Sequence, residues 1–251
     1  IFDKNPFTNH HIMLITTLNL DIPLHAGDIP LFRSSIIELV GRENEIFHNH
    51  DNSSESEGHY HFGYPLVQYA VRKIRATIIG LGKGAEAIYQ ELLPKLGNGM
   101  ELDGQRVLVR HYHIQQQEHE WEIRESPEEY GLYGWIGLNQ RNYRRWKDQS
   151  NGLSRMEILS GALTGQLRSL GKTIGIDEPK QITAEVMEVH NQKRVRWHKT
   201  QLIRFHIRFR TNIFLPADIG IGRCVAFGYG QVLPVEVYRK IMVQRPVLVV
   251  D

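Results

Sequence analysis

The sequence predicts an α+β protein in which one arrangement of strands and helices occurs twice. Three observations lead to this prediction. The 251 residues, of which 41% are hydrophobic and 23% charged, suffice for one large domain or two small ones. In the first half, segments typical of strands and helices follow one another in the order β-α-β-β-α-β. In the second half, a reduced form of the same order follows.

The first half begins with a strand and a helix. Residues 11–20 are rich in Ile, Leu and Thr and end at a proline break, which is typical of a strand. Asp28 can cap a helix that has Pro30 in its first turn and apolar side chains at helical spacing until Gly41. A polar loop is expected from residue 48 to residue 63. Residues 64–71 and 76–81 are predicted to form two strands joined by a basic turn. A helix is predicted at residues 85–93, and a fourth strand at residues 106–112.

The second half repeats this order with one element reduced. Residues 132–138 have strand character, and residues 154–170 place Leu159, Leu163 and Leu167 on one face of a helix. Three further strands are predicted at residues 182–190, 203–215 and 231–237, and the second helix is reduced to at most a turn at residues 216–219.

This order predicts two tandem ferredoxin-like (RRM-type) βαββαβ domains. In such a domain an antiparallel sheet carries two helices on one face and leaves the other face open to ligands. We place the domain boundary at Ser126–Pro127, which gives an N-terminal domain of residues 1–126 and a C-terminal domain of residues 127–251.

Charge is distributed unevenly along the chain. The net charge is +2, but residues 1–126 hold 11 Lys and Arg against 17 Asp and Glu, whereas residues 127–251 hold 19 against 11. This asymmetry favours a polyanion bound mainly by the second half, because Lys and Arg release counterions from a phosphate backbone. Ordinary solvated surface charge explains the counts equally well.

Composition also bounds the compartment. The single cysteine, Cys224, excludes a disulfide framework. The start of the chain lacks the pattern of a signal peptide, and no apolar run approaches the roughly 18 residues of a membrane span. We therefore expect a soluble cytoplasmic protein with no membrane partner. The chain begins at Ile1 without a methionine, which is consistent with a piece of a longer polypeptide.

A glycine-rich segment at residues 215–230 is the most specific motif. Gly220, Gly222, Gly228 and Gly230 surround Arg223 and two aromatic residues. Glycines let backbone N–H groups approach a phosphate closely. The segment has neither the spacing of a dinucleotide-binding fingerprint nor the Gly-Lys-Ser/Thr of a Walker loop. Glycines that only allow tight turns are the alternative.

This segment resembles the C-terminal glycine-rich loop of the RAMP superfamily, and specifically of the CRISPR-associated endoribonucleases that process precursor CRISPR RNA. Other stretches resemble the same family in the order that a tandem ferredoxin-like fold requires. They are DIPLFR at residues 28–33, FHNH at 47–50, YPLVQY at 64–69, WIGLN at 135–139 and FRTNI at 209–213. The chain departs from the family pattern at Ser34, where glycine often follows the arginine, and at Tyr229, where Phe is commoner.

The resemblance implies an endoribonuclease that cuts precursor CRISPR RNA without a cofactor or a metal ion. CRISPR repeat RNA is the implied partner, and other CRISPR effector subunits are further candidates. His48 and His50 lie where the family commonly keeps its catalytic histidine. Imidazole can exchange a proton with a ribose 2′-OH or a leaving 5′-oxygen near neutral pH. Arg33 is the candidate for stabilising the phosphorane charge.

The candidate RNA surface lies mainly on one strand. The alternation RFHIRFR at residues 204–210 places the cationic side chains on one face and the apolar ones on the other. A second basic segment at residues 141–147 interleaves cations with Tyr143 and Trp146, which suits stacking and phosphate contacts. The candidate RNA-binding residues are Arg72, Lys73, Arg75, Arg141, Arg144, Arg145, Lys147, Arg204, His206, Arg208, Arg210, Gly220, Gly222, Arg223, Gly228 and Gly230.

Two other functions remain open at this point. One is a non-catalytic RNA-binding module of the same fold. The other is a metal-dependent nuclease, because His48, His50, His59 and His61 place four histidines within 14 residues. No cysteine pair supports a zinc site.

Overall fold

The structure, a computed structural model, describes residues 11–48, 64–197 and 200–244. Contacts between Cα atoms divide these residues into two units. The N-terminal unit holds residues 12–119 and 225–228, and the C-terminal unit holds His11 with residues 120–224 and 229–244. The division lies between His119 and Glu120, before the predicted boundary at Ser126–Pro127. Those two residues lie inside a strand of the C-terminal unit.

The N-terminal unit contains a four-stranded sheet with helices packed against it. Its first elements are β1 (His11–Pro23), α1 (Ile29–Val40), α2 (Glu45–His48), β2 (Val67–Arg72) and β3 (Arg75–Leu81). They are followed by α3 (Lys83–Ala87), which continues through a π-helical turn and a 3-10 segment to Asn98, and by β4 (Met100–Leu102), β5 (Gln105–Val107) and β6 (Tyr112–Trp121). The strand order in the sheet is β2-β3-β1-β6.

The core of the N-terminal unit joins β1 to α1 and to the helical segment after β3. Phe32 and Ile36 of α1 pack with Leu18 of β1 and with Ile88 and Leu92, and all five are fully buried. These positions have the helical spacing that predicted α1. One cluster of buried residues therefore holds the sheet and the helices together.

The fourth strand of this unit differs from the prediction. Residues 105–107 belong to the small β4–β5 hairpin, and the edge strand of the sheet is β6. The sequence YHIQQQEHEW of β6 is mostly exposed and lacks an alternation of apolar and polar residues. A polar edge strand carries little of the periodicity by which strands are recognised.

The C-terminal unit has the same topology. Its elements are β7 (Ile123–Trp135), α4 (Gln140–Lys147), α5 (Gly152–Thr173), β8 (Ala184–Trp197), β9 (Thr200–Ile213), β10 (Gln231–Pro234) and α6 (Val235–Gln244). The strand order is β10-β7-β9-β8, with every neighbouring pair antiparallel. Both sheets thus have the order 4-1-3-2 of a ferredoxin-like domain, counted within each unit, and the predicted fold is confirmed.

Apolar side chains of α5 and β9 form the core of this unit. Leu159, Leu163 and Leu167 of α5 are buried, as are Phe205 and Phe209 of β9. The Asn151 side chain caps α5 by accepting a hydrogen bond from the Leu153 N–H at 2.9 Å. Both the helical spacing and the strand alternation predicted from the sequence are confirmed.

Several elements of the C-terminal unit were predicted incompletely, including β7, which begins at Ile123 instead of residue 132. The hairpin of β8 and β9 extends further than predicted, because residues 191–202 are polar and basic and give no apolar signal. The last strand ends at Pro234, and residues 235–244 form α6 rather than more strand. Between β9 and β10 the described residues hold no α-helix, only the 3-10 turn Val225–Phe227. None of the helices in the described segments combines the length and apolarity needed to span a membrane.

Candidate active site and RNA interface

His48 is the last residue of α2, and its ring is turned into the N-terminal unit. The residue is 9% exposed, and its Nε2 lies 2.5 Å from the carbonyl oxygen of Arg42. Because a carbonyl oxygen only accepts hydrogen bonds, Nε2 carries the proton and donates. Nδ1 is then the unprotonated nitrogen of the neutral ring. His48 is therefore a buried imidazole held in one orientation, not the first residue of the predicted polar loop.

Arg33 of α1 holds the backbone at His48. Its Nη2 donates a hydrogen bond to the His48 carbonyl oxygen at 2.7 Å, and its guanidinium lies 4.9 Å from the centre of the Phe227 ring. The Tyr69 hydroxyl donates to the neighbouring Phe47 carbonyl oxygen at 3.2 Å. Burial raises the pKa of Tyr69, so its hydroxyl remains a neutral donor. Two side chains thus fix the last turn of α2.

The end of the glycine-rich segment belongs to the N-terminal unit. Residues 225–227 form the 3-10 turn that presents Phe227 to Arg33. Gly228 follows with φ +80°, and a Cβ at this position would lie 3.3 Å from the Tyr69 carbonyl oxygen. The backbone at Gly228 therefore packs closely against protein atoms of the same unit.

Two other glycines of the segment are also required by packing. Gly222 has φ +110°, and a Cβ there would lie 2.7 Å from the Trp135 ring. Gly230 has φ +73°, and a Cβ there would overlap the Ile221 carbonyl oxygen. Gly220 forms an isolated bridge with Gln231. The geometry of Gly222, Gly228 and Gly230 supports the alternative in which they allow tight turns, while the Arg223 side chain between them is exposed.

The cations of β9 share one face as predicted, but two of them are neutralised. Arg208 donates to Glu129 at 2.9 Å and to Glu188 at 3.3 Å. Arg210 forms an ion pair with Glu185 at 2.6 Å. The prediction that both arginines are available to RNA is therefore corrected, because carboxylates on neighbouring strands offset their charge.

Part of this sheet face is also covered, whereas the prediction left it open. Tyr238 of α6 is fully buried and packs against Gly131 of β7. Arg239 of α6 lies 3.7 Å from Glu129. His206 of β9 is itself only 6% exposed. The face therefore consists of a part covered by α6, next to Arg208, and a part around His206 and Arg204.

The four cations of α4 are exposed as the RNA-binding prediction requires. Asn139 caps the helix by accepting a hydrogen bond from the Asn142 N–H at 2.8 Å. Trp146 points inward, where it meets Phe205 and lies beneath the Arg155 guanidinium. This packing turns the cationic side chains outward, and within the described residues none of them pairs with a carboxylate: Arg141, Arg144, Arg145 and Lys147.

A second basic surface was not predicted. We call the outer part of the β8–β9 hairpin, residues 191–197 and 200–202, the basic arm. Its strands remain paired, with Lys193 opposite Arg204 and Arg196 opposite Gln201. Lys193, Arg194 and Arg196 are exposed, and residues 191–202 contain no Asp or Glu. The run of cations without a carboxylate was the signal in the sequence that could have identified it.

The basic turn of the N-terminal unit is a two-residue turn between β2 and β3. Lys73 and Ile74 both have positive φ, +47° and +60°. Lys73 and Arg75 are exposed, whereas Arg72 is half-buried. This turn adds cationic side chains in the N-terminal unit, separate in sequence from α4 and the basic arm.

Comparison with known proteins decides the family. A model of the Cas6b N-terminal domain matches residues 11–120, and a model of the Cas6b C-terminal domain matches residues 122–235. The chain belongs to the Cas6b family. The two Cas6b domain models meet at residues 120–122, close to the division between the two units and before the boundary predicted at residues 126–127.

Similar solved structures show the same Cas6b fold. One described as a crystal structure of Cas6b is 20% identical, with a TM-score of 0.77, and the match covers 88% of this chain and 99% of that one. A CRISPR RNA processing endoribonuclease Cas6b is 18% identical, with a TM-score of 0.65 and coverage of 88% and 98%. An uncharacterized protein of Methanocaldococcus jannaschii is 30% identical over 102 residues, which are 41% of this chain and 68% of that protein.

The remaining histidines of the predicted catalytic region are His50, His59 and His61. All three lie outside the described residues. Among the residues that the structure does describe, no three His, Cys, Asp or Glu side chains are grouped as a metal site requires.

Proposed function

We propose that this Cas6b-family protein is an endoribonuclease that cuts precursor CRISPR RNA within its repeat. Membership of the family carries the proposal, since a solved structure of the same fold is a CRISPR RNA processing endoribonuclease Cas6b. The exposed cations of α4 and the basic arm support it. Exposed cationic side chains bind a phosphate backbone by releasing its counterions.

The reaction that we propose needs no metal ion. The 2′-oxygen of the ribose loses its proton and attacks the adjacent phosphorus, and the bond from phosphorus to the 5′-oxygen breaks. The departing 5′-oxygen takes up a proton. The products are a 2′,3′-cyclic phosphate and a 5′-OH end. One group must accept the first proton or donate the second, and imidazole does either near neutral pH.

His48 is our first candidate for this proton transfer. The hydrogen bond from its Nε2 to the Arg42 carbonyl oxygen favours the neutral tautomer in which Nδ1 is basic. A ring that is 9% exposed can meet a ribose along one edge at most. His50, two residues further along the chain, is the second candidate. Either histidine can serve as the acceptor or the donor.

We assign Arg33 a positioning role in place of the role in phosphorane stabilisation that the resemblance implied. Its Nη2 is bound to the His48 carbonyl oxygen, and its guanidinium lies over Phe227. Both contacts favour a fixed backbone at His48 over a contact with the scissile phosphate.

The alternative is an RNA-binding module without catalytic activity. The burial of His48 and its bond to Arg42 favour this alternative, because a histidine with a structural hydrogen bond needs no catalytic role. A metal-dependent nuclease that uses the histidine cluster at residues 48–61 is the third possibility.

One experiment separates these functions. Repeat-containing RNA is incubated with the protein in excess EDTA, and the ends of any products are mapped. We expect cutting in EDTA that leaves a 2′,3′-cyclic phosphate and a 5′-OH. Binding without cutting under any condition would favour the RNA-binding module. Cutting only after a divalent metal is added would favour the metal-dependent nuclease and overturn our proposal.

A further inference from the structure

An aromatic pair lies on the two central strands of the C-terminal sheet. Tyr133 of β7 and His206 of β9 have ring centres 4.2 Å apart and planes inclined by 45°. His206 is on the face opposite Phe205, which is fully buried in the core. Sheets of this topology stack unpaired RNA bases on aromatic side chains of these two strands.

A backbone hydrogen bond holds the His206 ring of this pair. The Gly134 N–H donates a hydrogen bond to His206 Nδ1 at 3.2 Å, which leaves Nε2 as the protonated nitrogen of the neutral ring. His206 is buried, whereas Tyr133 is half-buried and keeps part of its surface accessible. The Gly230 N–H donates to the Gly134 carbonyl oxygen at 3.1 Å. The glycine-rich segment is therefore tied to the strand that carries the pair.

Arg204 lies beside this pair and differs from the other two arginines of the strand. Its Nε is buried and has no acceptor among the described residues, whereas Arg208 and Arg210 bind carboxylates. Its Cδ lies 3.6 Å from the position that a Cβ at Gly134 would take. A buried guanidinium donor without an acceptor is costly, and an anionic ligand would remove that cost.

Tyr229 of the glycine-rich segment interacts electrostatically with Arg204. Burial raises the pKa of the Tyr229 hydroxyl, and the positive charge of Arg204 opposes this rise. The two side chains are thus close enough to interact electrostatically. The site therefore has a stacking surface, a cation and a segment of backbone next to it.

We propose that Tyr133, His206 and Arg204 bind one unpaired nucleotide of the RNA, with its base on Tyr133 and its phosphate at Arg204. This inference rests on the proposed function in so far as the nucleotide belongs to a CRISPR repeat. The nucleotide must be unpaired, because a base inside a duplex does not offer its face to a side chain. Because Tyr238 covers the neighbouring part of the sheet at Gly131, the site accepts a short segment.

The test measures the affinity of the protein for repeat RNA in EDTA. The RNA carries a 2′-deoxyribose at any mapped cleavage site, so that it is not cut during the measurement. Tyr133→Leu keeps an apolar side chain but removes the stacking ring, and we expect about 5- to 150-fold weaker binding. Tyr133→Phe keeps the ring and should bind within about twofold of the wild type.

Arg204→Gln should lower the slope of log affinity against log salt by about one unit or slightly less. Arg210→Gln is the matched control and should leave that slope unchanged.

Replacing single nucleotides of the repeat by abasic sites locates the bound base. We expect one position at which the wild type loses affinity and Tyr133→Leu does not, since the stacking partner is already missing. Folded Tyr133→Leu that binds like the wild type would overturn the inference, and so would equal losses at every abasic position in both proteins. If Tyr133→Leu weakens RNA binding but the wild-type protein does not cleave the unmodified RNA, only the proposed function is overturned. If the wild-type protein cleaves the RNA but Tyr133→Leu binds it as tightly as the wild type does, only the nucleotide site is overturned.

Discussion

The N-terminal unit buries its candidate catalytic histidine, whereas α4 and the basic arm of the C-terminal unit expose their cations. His48 is buried and bound to the Arg42 carbonyl oxygen, and Arg33 fixes the backbone beside it. The cations of α4 and the basic arm are exposed. Fixed groups suit a reaction that needs precise geometry, and exposed cations suit binding along a flexible polyanion. Substitutions in the two units should therefore affect rate and affinity separately.

The largest effect is expected at His48. His48→Ala should slow single-turnover cleavage of repeat RNA by at least about a hundredfold, because a positioned proton-transfer group contributes about 10²- to 10⁴-fold. RNA affinity should stay within severalfold of the wild type. The exposed His113 of the same unit provides the control, and His113→Ala should cut normally. Normal cutting by His48→Ala would move the role to His50.

A smaller loss of rate is expected at Arg33. Arg33→Ala should slow cleavage by about tenfold, because the last turn of α2 loses its anchor and the ring is misplaced. Arg33→Lys separates positioning from charge. Lysine keeps the positive charge but lacks the planar group that lies over Phe227 and donates to His48. Full rescue of the rate by lysine would show that Arg33 acts through its charge.

In the C-terminal unit the effect should appear in affinity. Arg141→Gln with Arg144→Gln should lower the slope of log affinity against log salt by about 1.4 to 1.8 units, since two phosphate contacts are lost. Cleavage at saturating protein should be unchanged. Arg208→Gln with Arg210→Gln is the matched pair on β9, and we expect an unchanged salt slope and a lower melting temperature. A reduced slope in the β9 pair would return that strand to the RNA surface.

The smallest effect on RNA is expected at Gly230, where stability should change instead. Gly230 and Gly104 have nearly the same φ, +73° and +71°, but only at Gly230 would a Cβ overlap a backbone oxygen. Gly104→Ala should cost about 1 kcal/mol of unfolding free energy through strain. Gly230→Ala should cost about 1–3 kcal/mol more through overlap. Chemical denaturation measures both, and the folded Gly230→Ala protein should bind RNA normally. A Gly230→Ala protein that is stable but binds RNA weakly would instead support phosphate binding by the glycine-rich segment.

Periodicity made much of the fold predictable. The spacing of Leu159, Leu163 and Leu167 identified α5, and the alternation around Phe205 identified β9, because both patterns record which side chains face the core. The prediction missed strand β6 and the basic arm, and it placed the start of β7 too late. Their residues are polar, and their strand structure comes from pairing with distant strands.

The candidate site was less predictable than the fold. Arg208 lies 79 residues from Glu129 and 20 from Glu188, and no local pattern shows that these side chains meet. The cover of α6 over Gly131 depends in the same way on tertiary packing. The region of His48 was recognised from the family resemblance. Its bond to Arg42 and the anchoring by Arg33 emerge only from the fold.

The most direct test of the central claim uses an altered substrate instead of an altered protein. Repeat RNA is prepared with a single 2′-deoxyribose at the nucleotide before the mapped cleavage site, and its cleavage in EDTA is compared with that of unmodified RNA. If the 2′-oxygen is the nucleophile, the deoxy RNA should bind normally and remain uncut, while the unmodified RNA is cleaved to a 2′,3′-cyclic phosphate. Efficient cleavage of the deoxy RNA at the same position would contradict the mechanism.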